Sequence, residues 1–140
     1  MDTKPRIIPI GLVLAAVTIS VVVQACGGSK TLIAYEGERR PADQVAIIDI
    51  SNKSLYVMGI DSTVNRYAAF TERFIEVAPG SHTLTVNYKS WKGRSEEPIE
   101  LPFTAAAGHT YQVKVSAGYN RWTAWIVDVV DGSVVAGSPN

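Results

Sequence analysis

The chain has 140 residues, of which 46% are hydrophobic and 19% charged, with 13 basic and 13 acidic side chains and one cysteine. A balanced charge does not steer it toward nucleic acid or an anionic membrane surface. One cysteine excludes an intramolecular disulfide framework.

Residues 1–6 carry Lys4 and Arg6 against Asp2, and residues 7–23 are rich in Ile, Val, Leu and Ala. Pro9 and Gly11 interrupt the start of that run, and Thr18 and Ser20 dilute its second half. A membrane-spanning helix needs roughly 20 consecutive apolar residues. The uninterrupted part, 10–23, falls short of this and suits the hydrophobic region of a secretion signal, with an uncleaved signal anchor as the alternative.

Val23-Gln24-Ala25-Cys26 closes the segment with a small residue before the cysteine. It resembles the lipobox of bacterial lipoproteins. Gln24 departs from the small residues usual at its position. The resemblance implies cleavage before Cys26, acylation of its thiol and anchoring in a membrane through the lipid. Two or more acyl chains hold stably, since each buried methylene contributes about 0.8 kcal/mol. Gly27 stands where an inner-membrane retention signal would place aspartate, so a cell with two membranes is expected to send the protein to the outer one. Cell membrane or outer membrane, with the domain facing the periplasm or exterior, is the expected location.

The expected organisation is a signal peptide over 1–25, the lipidated cysteine and tether over 26–30, and one β-domain over 31–137. Beyond residue 25 the acidic residues outnumber the basic by one.

Along the domain, residues 31–35 read as a short strand and 36–41 as a charged loop. Val45-Ala46-Ile47-Ile48-Asp49-Ile50-Ser51 is apolar on both faces, as a buried central strand would be. Asn52-Lys53 is a turn, with 55–60 as the hairpin partner of 45–51. Residues 61–70 read as a loop with a helical turn at 67–69. Strand 72–78 runs into Pro79-Gly80, a strong turn signal. The clearest strand is 81–88, with Leu84, Val86 and Tyr88 opposite Thr83, Thr85 and Asn87. A polar connection over 89–97 carries Trp91. Strand 98–103 then places Ile99, Leu101 and Phe103 together. After the breaker 105–108, strand 110–117 sets Tyr111, Val113 and Val115 against Gln112 and Lys114. A turn at 118–121 leads into 123–130, and Asp131-Gly132 starts a tight hairpin to 133–136. The pattern predicts an all-β chain: an antiparallel β-sandwich of about eight short strands, preceded by an N-terminal hydrophobic signal helix.

Glu76-Val77-Ala78-Pro79-Gly80-Ser81-His82-Thr83-Leu84-Thr85-Val86 resembles the Pro-Gly-x-His hairpin of PEGA-type domains and related small lipoprotein β-sandwiches. Ala106-Ala107-Gly108-His109-Thr110-Tyr111 and the strand entered on Ala46-Ile47-Ile48 fit the same pattern. The similarity covers about a third of the chain beyond the cysteine, and it implies a small β-sandwich with an accessory role.

No Gly-rich phosphate loop, Gly-x-Ser-x-Gly elbow or Cys-x-x-Cys is present, so no catalytic residue, metal site or cofactor is expected. His82 and His109 each begin a strand after a glycine turn, where an imidazole suits a hydrogen bond to that turn. Asp49, Asp61, Asp128 and Asp131 lack the spacing of a calcium loop. Asp128, in an apolar strand, calls for a partner such as Arg121 or a backbone amide. Trp91, Tyr119 and Trp122 lie in or beside polar connections. They suit either a stacking surface for glycan rings or a protein partner, or packing at the ends of the core. Trp125 is expected in the core. The functional expectation is a non-catalytic, lipid-anchored module of the cell envelope, with an envelope protein or a glycan as partner and no nucleic acid.

Overall fold

The computed structural model describes residues 30–61, 73–90, 93–94 (backbone only) and 97–139. The expected signal segment and its helix, Cys26, the helical turn expected at 67–69 and Trp91 lie outside these residues.

The described chain is mostly β and forms two sheets. In order come β1 (Thr31–Ile33), β2 (Ala46–Asp49), β3 (Leu55–Ile60), β4 (Phe74–Val77) and β5 (Gly80–Ser90). They are followed by β6 (Gly93–Arg94), β7 (Ile99–Ala105), β8 (Thr110–Ala117), β9 (Trp122–Asp128) and β10 (Val134–Gly137). One sheet has the order β1-β4-β2-β8-β9-β10; in the other, β3 and β7 flank β5, and β6 folds back on the end of β5. Among the described residues the only helical turn is the 3-10 turn Ala42–Gln44, and no helix is long and apolar enough to cross a membrane.

The first sheet is mixed, where a wholly antiparallel arrangement was expected. β1 runs parallel to β4, and β2 parallel to β8. The expected hairpin of 45–51 with 55–60 does not form. Both edges of β2 are occupied, by β4 and β8, so the chain turns a corner and β3 pairs with β5 in the other sheet. Short polar side chains shape that corner: Asp49 Oδ1 accepts the Ser51 amide at 2.9 Å and Asn52 Oδ1 accepts the Ser54 amide at 2.9 Å. Pro79-Gly80 is a second corner, carrying the chain from β4 to β5, with Gly80 at φ 129°.

One apolar cluster lies between the sheets. Ile48, Ile75, Val77, Tyr111, Val113 and Ile126 meet Val57, Leu84, Val86, Leu101 and Phe103. Each such side chain contributes about 1.5–3 kcal/mol on burial. Phe103 and Tyr111 pack edge to face across the layers, 5.5 Å between ring centroids. On β9, Ala124, Ile126 and Asp128 are buried while Trp125 and Val127 alternate with them. Trp125 therefore sits on the outer face of its sheet, correcting the expectation that it belongs to the core. Both parities of this strand are apolar at several positions, so alternation alone did not choose the inner face.

The register also defines two ends. At the end where the chain leads into β1, the Arg73 amide donates to the Lys30 carbonyl (3.0 Å) and the Ile50 amide to the Arg73 carbonyl (2.9 Å). The Lys89 amide reaches the Ser54 carbonyl at 2.8 Å, and Tyr88 stacks on Trp122 with centroids 5.9 Å apart. The turn after β8 closes with the Gly118 amide on the Arg121 carbonyl at 2.7 Å. The opposite end holds Val45, Asp61, His82, Gly108 and His109, tied in part by the Gly108 amide on the Val45 carbonyl at 2.8 Å.

Candidate functional site

At the far end, two imidazole–carboxylate pairs close the loops. His82 Nδ1 lies 2.5 Å from Asp61 Oδ2, and its Nε2 lies 2.5 Å from the Ala78 carbonyl oxygen. Asp61 Oδ1 accepts the Thr83 amide at 2.8 Å, which holds Asp61 at φ 50°. Both neighbours of the ring are oxygen acceptors, so it donates to both only when each nitrogen carries a proton. The ring thus bonds the residue preceding Pro79-Gly80, and both its nitrogens are occupied.

His109 Nδ1 lies 2.7 Å from Asp128 Oδ2, and Asp128 Oδ1 accepts the Val130 amide at 2.9 Å. The buried carboxylate therefore has its partners, but Arg121 is not one of them. Antiparallel pairing sets Asp128 opposite Tyr111, next to His109, whereas Arg121 precedes the other end of β9. Beyond it, Asp131 accepts the Ser133 hydroxyl at 2.6 Å and the Ser133 amide at 2.8 Å. These two bonds, the hydroxyl first, hold its carboxyl below the usual carboxylate value, and nearby His109 adds to the effect.

Glu76 was missed by the alternation of β4. It is 6% exposed, and its carboxylate accepts Arg39 at 2.6 Å and the Tyr35 hydroxyl at 3.2 Å. The Glu76 hydrogen bond and charge raise the Arg39 guanidinium above its ordinary value. Arg40 covers the Tyr35 ring at 5.0 Å. Together these contacts seal the charged 36–41 loop over β4. Among the described residues, no group of three or more His, Cys, Asp or Glu is arranged to hold a metal ion.

The expected aromatic set divides. Tyr119 is fully exposed at the tip of the turn after β8, while Trp122 is half-buried against the core and stacked on Tyr88. Trp91 lies outside the described residues. A different aromatic lines a groove: on the outer face of the first sheet, Trp125 sits with Asp49, Asn52, Gln112 and Lys114 around an open space of about 480 Å³. An indole beside amide, carboxylate and ammonium groups can stack on an apolar ring face and hydrogen-bond the hydroxyls around its rim. Compared with protein-family models, curated proteins and solved structures, the chain matches none.

Proposed function

We propose that the protein is a lipid-anchored, non-catalytic interaction module of a bacterial cell envelope: an acylated Cys26 carrying a β-sandwich on the extracytoplasmic side. The observation that carries this reading is the coincidence, at Cys26, of a signal-like segment, a small preceding residue and the chain's only thiol. The occupied nitrogens of His82 favour a structural role for that imidazole over general-base chemistry. Mass spectrometry of the N-terminal peptide from a membrane fraction tests the reading. The expected peptide begins at Cys26 and carries acyl chains; an unmodified Cys26 within an uncleaved chain overturns it.

A second reading, binding of glycan or peptidoglycan, is favoured by one specific feature, the Trp125 groove with its polar rim. Trp91, Tyr119 and Trp122 are the aromatics that the sequence offers for this role, and the half-burial of Trp122 leaves less of that ring to a ligand. Retention of the full chain on cell-wall material should fall on Trp125→Ala and persist in Tyr119→Ala. Equal retention in both variants removes the groove from consideration.

A further inference from the structure

The near-zero net charge conceals an end-to-end division. Among the described residues, six basic side chains belong to the half of the fold where the chain leads into β1: Lys30, Lys53, Arg73, Lys89, Lys114 and Arg121. All six are exposed, and the described carboxylates in that half are Asp49, Glu97 and Glu100. The other half reverses the balance. It holds Glu36, Glu38 and Asp43 ahead of β2, Asp61 after β3, Asp131 in the last turn, and buried Glu76 and Asp128, against Arg39 and Arg40. Tyr119, fully exposed at the tip of the 118–121 turn, projects from the basic end. A tyrosine ring with an apolar body and a polar tip suits the boundary between headgroups and acyl chains.

Chain length links this end to the bilayer. From Cys26 to Lys30 there are four residue steps, which span at most about 14 Å when extended. A lipid on Cys26 therefore holds the basic end near the headgroups, within about 1.5 screening lengths at moderate salt. At that separation, Lys and Arg facing anionic lipid add attraction that salt removes.

We infer that the end of the domain bearing Lys30, Lys53, Arg73, Arg121 and Tyr119 is a docking surface for the anionic headgroups of the anchoring bilayer. This inference rests on the lipid-anchor reading for its geometry. The acidic far end, with its imidazole–carboxylate pairs, then faces away from the membrane.

Hydrogen exchange of the full chain in vesicles, read by mass spectrometry, tests the surface. Peptides covering 51–55 and 118–122 should exchange severalfold more slowly in phosphatidylcholine vesicles containing phosphatidylglycerol than in phosphatidylcholine alone. The difference should vanish on raising salt from about 0.1 to about 1 M, which shortens the screening length from about 10 to about 3 Å. It should also vanish in the double variant Lys53→Glu, Arg121→Glu. A peptide covering 105–109, at the far end, should be unaffected by lipid or variant, which also reports that the variant is folded. Equal exchange in the two kinds of vesicle, or protection centred on 105–109, overturns the docking surface. The same digest contains the N-terminal peptide. Loss of acylation there sinks the anchor reading separately and leaves the two lipid compositions to decide the surface.

Discussion

Gly137 lies so close to Ala124 that a Cβ added to it would overlap the Ala124 carbonyl oxygen. That Cβ would also stand 2.9 Å from both the Trp125 Cα and the Leu101 side chain. The backbone there is at φ 71°, a region L-residues avoid. Gly137→Ala should destabilise the domain by about 2–4 kcal/mol, combining overpacking with backbone strain. Gly132→Ala has nothing within 4 Å of its Cβ and carries only the φ penalty, so it should cost about 1 kcal/mol. Urea unfolding of the two variants measures the difference; equal midpoints would mean that β10 does not need its close approach to β9.

Asp61 holds a left-handed backbone through two side-chain bonds. Asp61→Asn should be mild, about 1 kcal/mol, because asparagine tolerates this φ and keeps an acceptor for the Thr83 amide. The amide nitrogen can then donate to an unprotonated His82 Nδ1. Asp61→Ala loses both bonds and the tolerance, and should cost about 2–4 kcal/mol. Nitrogen shifts of the His82 ring, together with unfolding midpoints, check both parts.

The Asp131 turn carries a pH dependence of known sign. Its folded carboxyl lies below the usual value. Stability from the Ser133 bonds is thus present above the ordinary carboxylate pKa and is lost as pH falls through the depressed folded value. Ser133→Ala should move the carboxyl back toward its usual value and weaken that acid-side loss. A carboxyl-carbon NMR titration of the two proteins measures the movement; coincident curves would dismiss the bonds as its cause.

Trp122 and Trp125 differ in what surrounds them. Trp122 packs on the core and on Tyr88, so Trp122→Ala should cost about 3 kcal/mol, whereas the outward-facing Trp125 should cost less on the same change. Thermal unfolding of both variants tests the order. A reversed order would place the Trp125 ring in the load of the fold and weaken its assignment to the groove.

Much of the local structure was legible in the chain. Alternation identified β8 over residues 110–117, and Asp131-Gly132 marked the last hairpin, where Gly132 takes φ 75° between antiparallel β9 and β10. Such features depend on neighbours a few residues apart. Glu76 shows the opposite case: nothing beside it in the sequence marks it as buried, and Arg39, 37 positions earlier, supplies the bond that makes its burial tolerable. His109 likewise finds Asp128 only because β8 and β9 run antiparallel.

The sequence by itself determined the β character, the turn positions and the apolar run that precedes Cys26, since periodicity and turn chemistry are short-range properties. Only the tertiary structure decided which strands share a sheet, that Trp125 faces outward, and that, among the described residues, basic side chains predominate at one end and acidic ones at the other. Those outcomes depend on pairing between distant strands, and a linear sequence with both faces apolar leaves that pairing open.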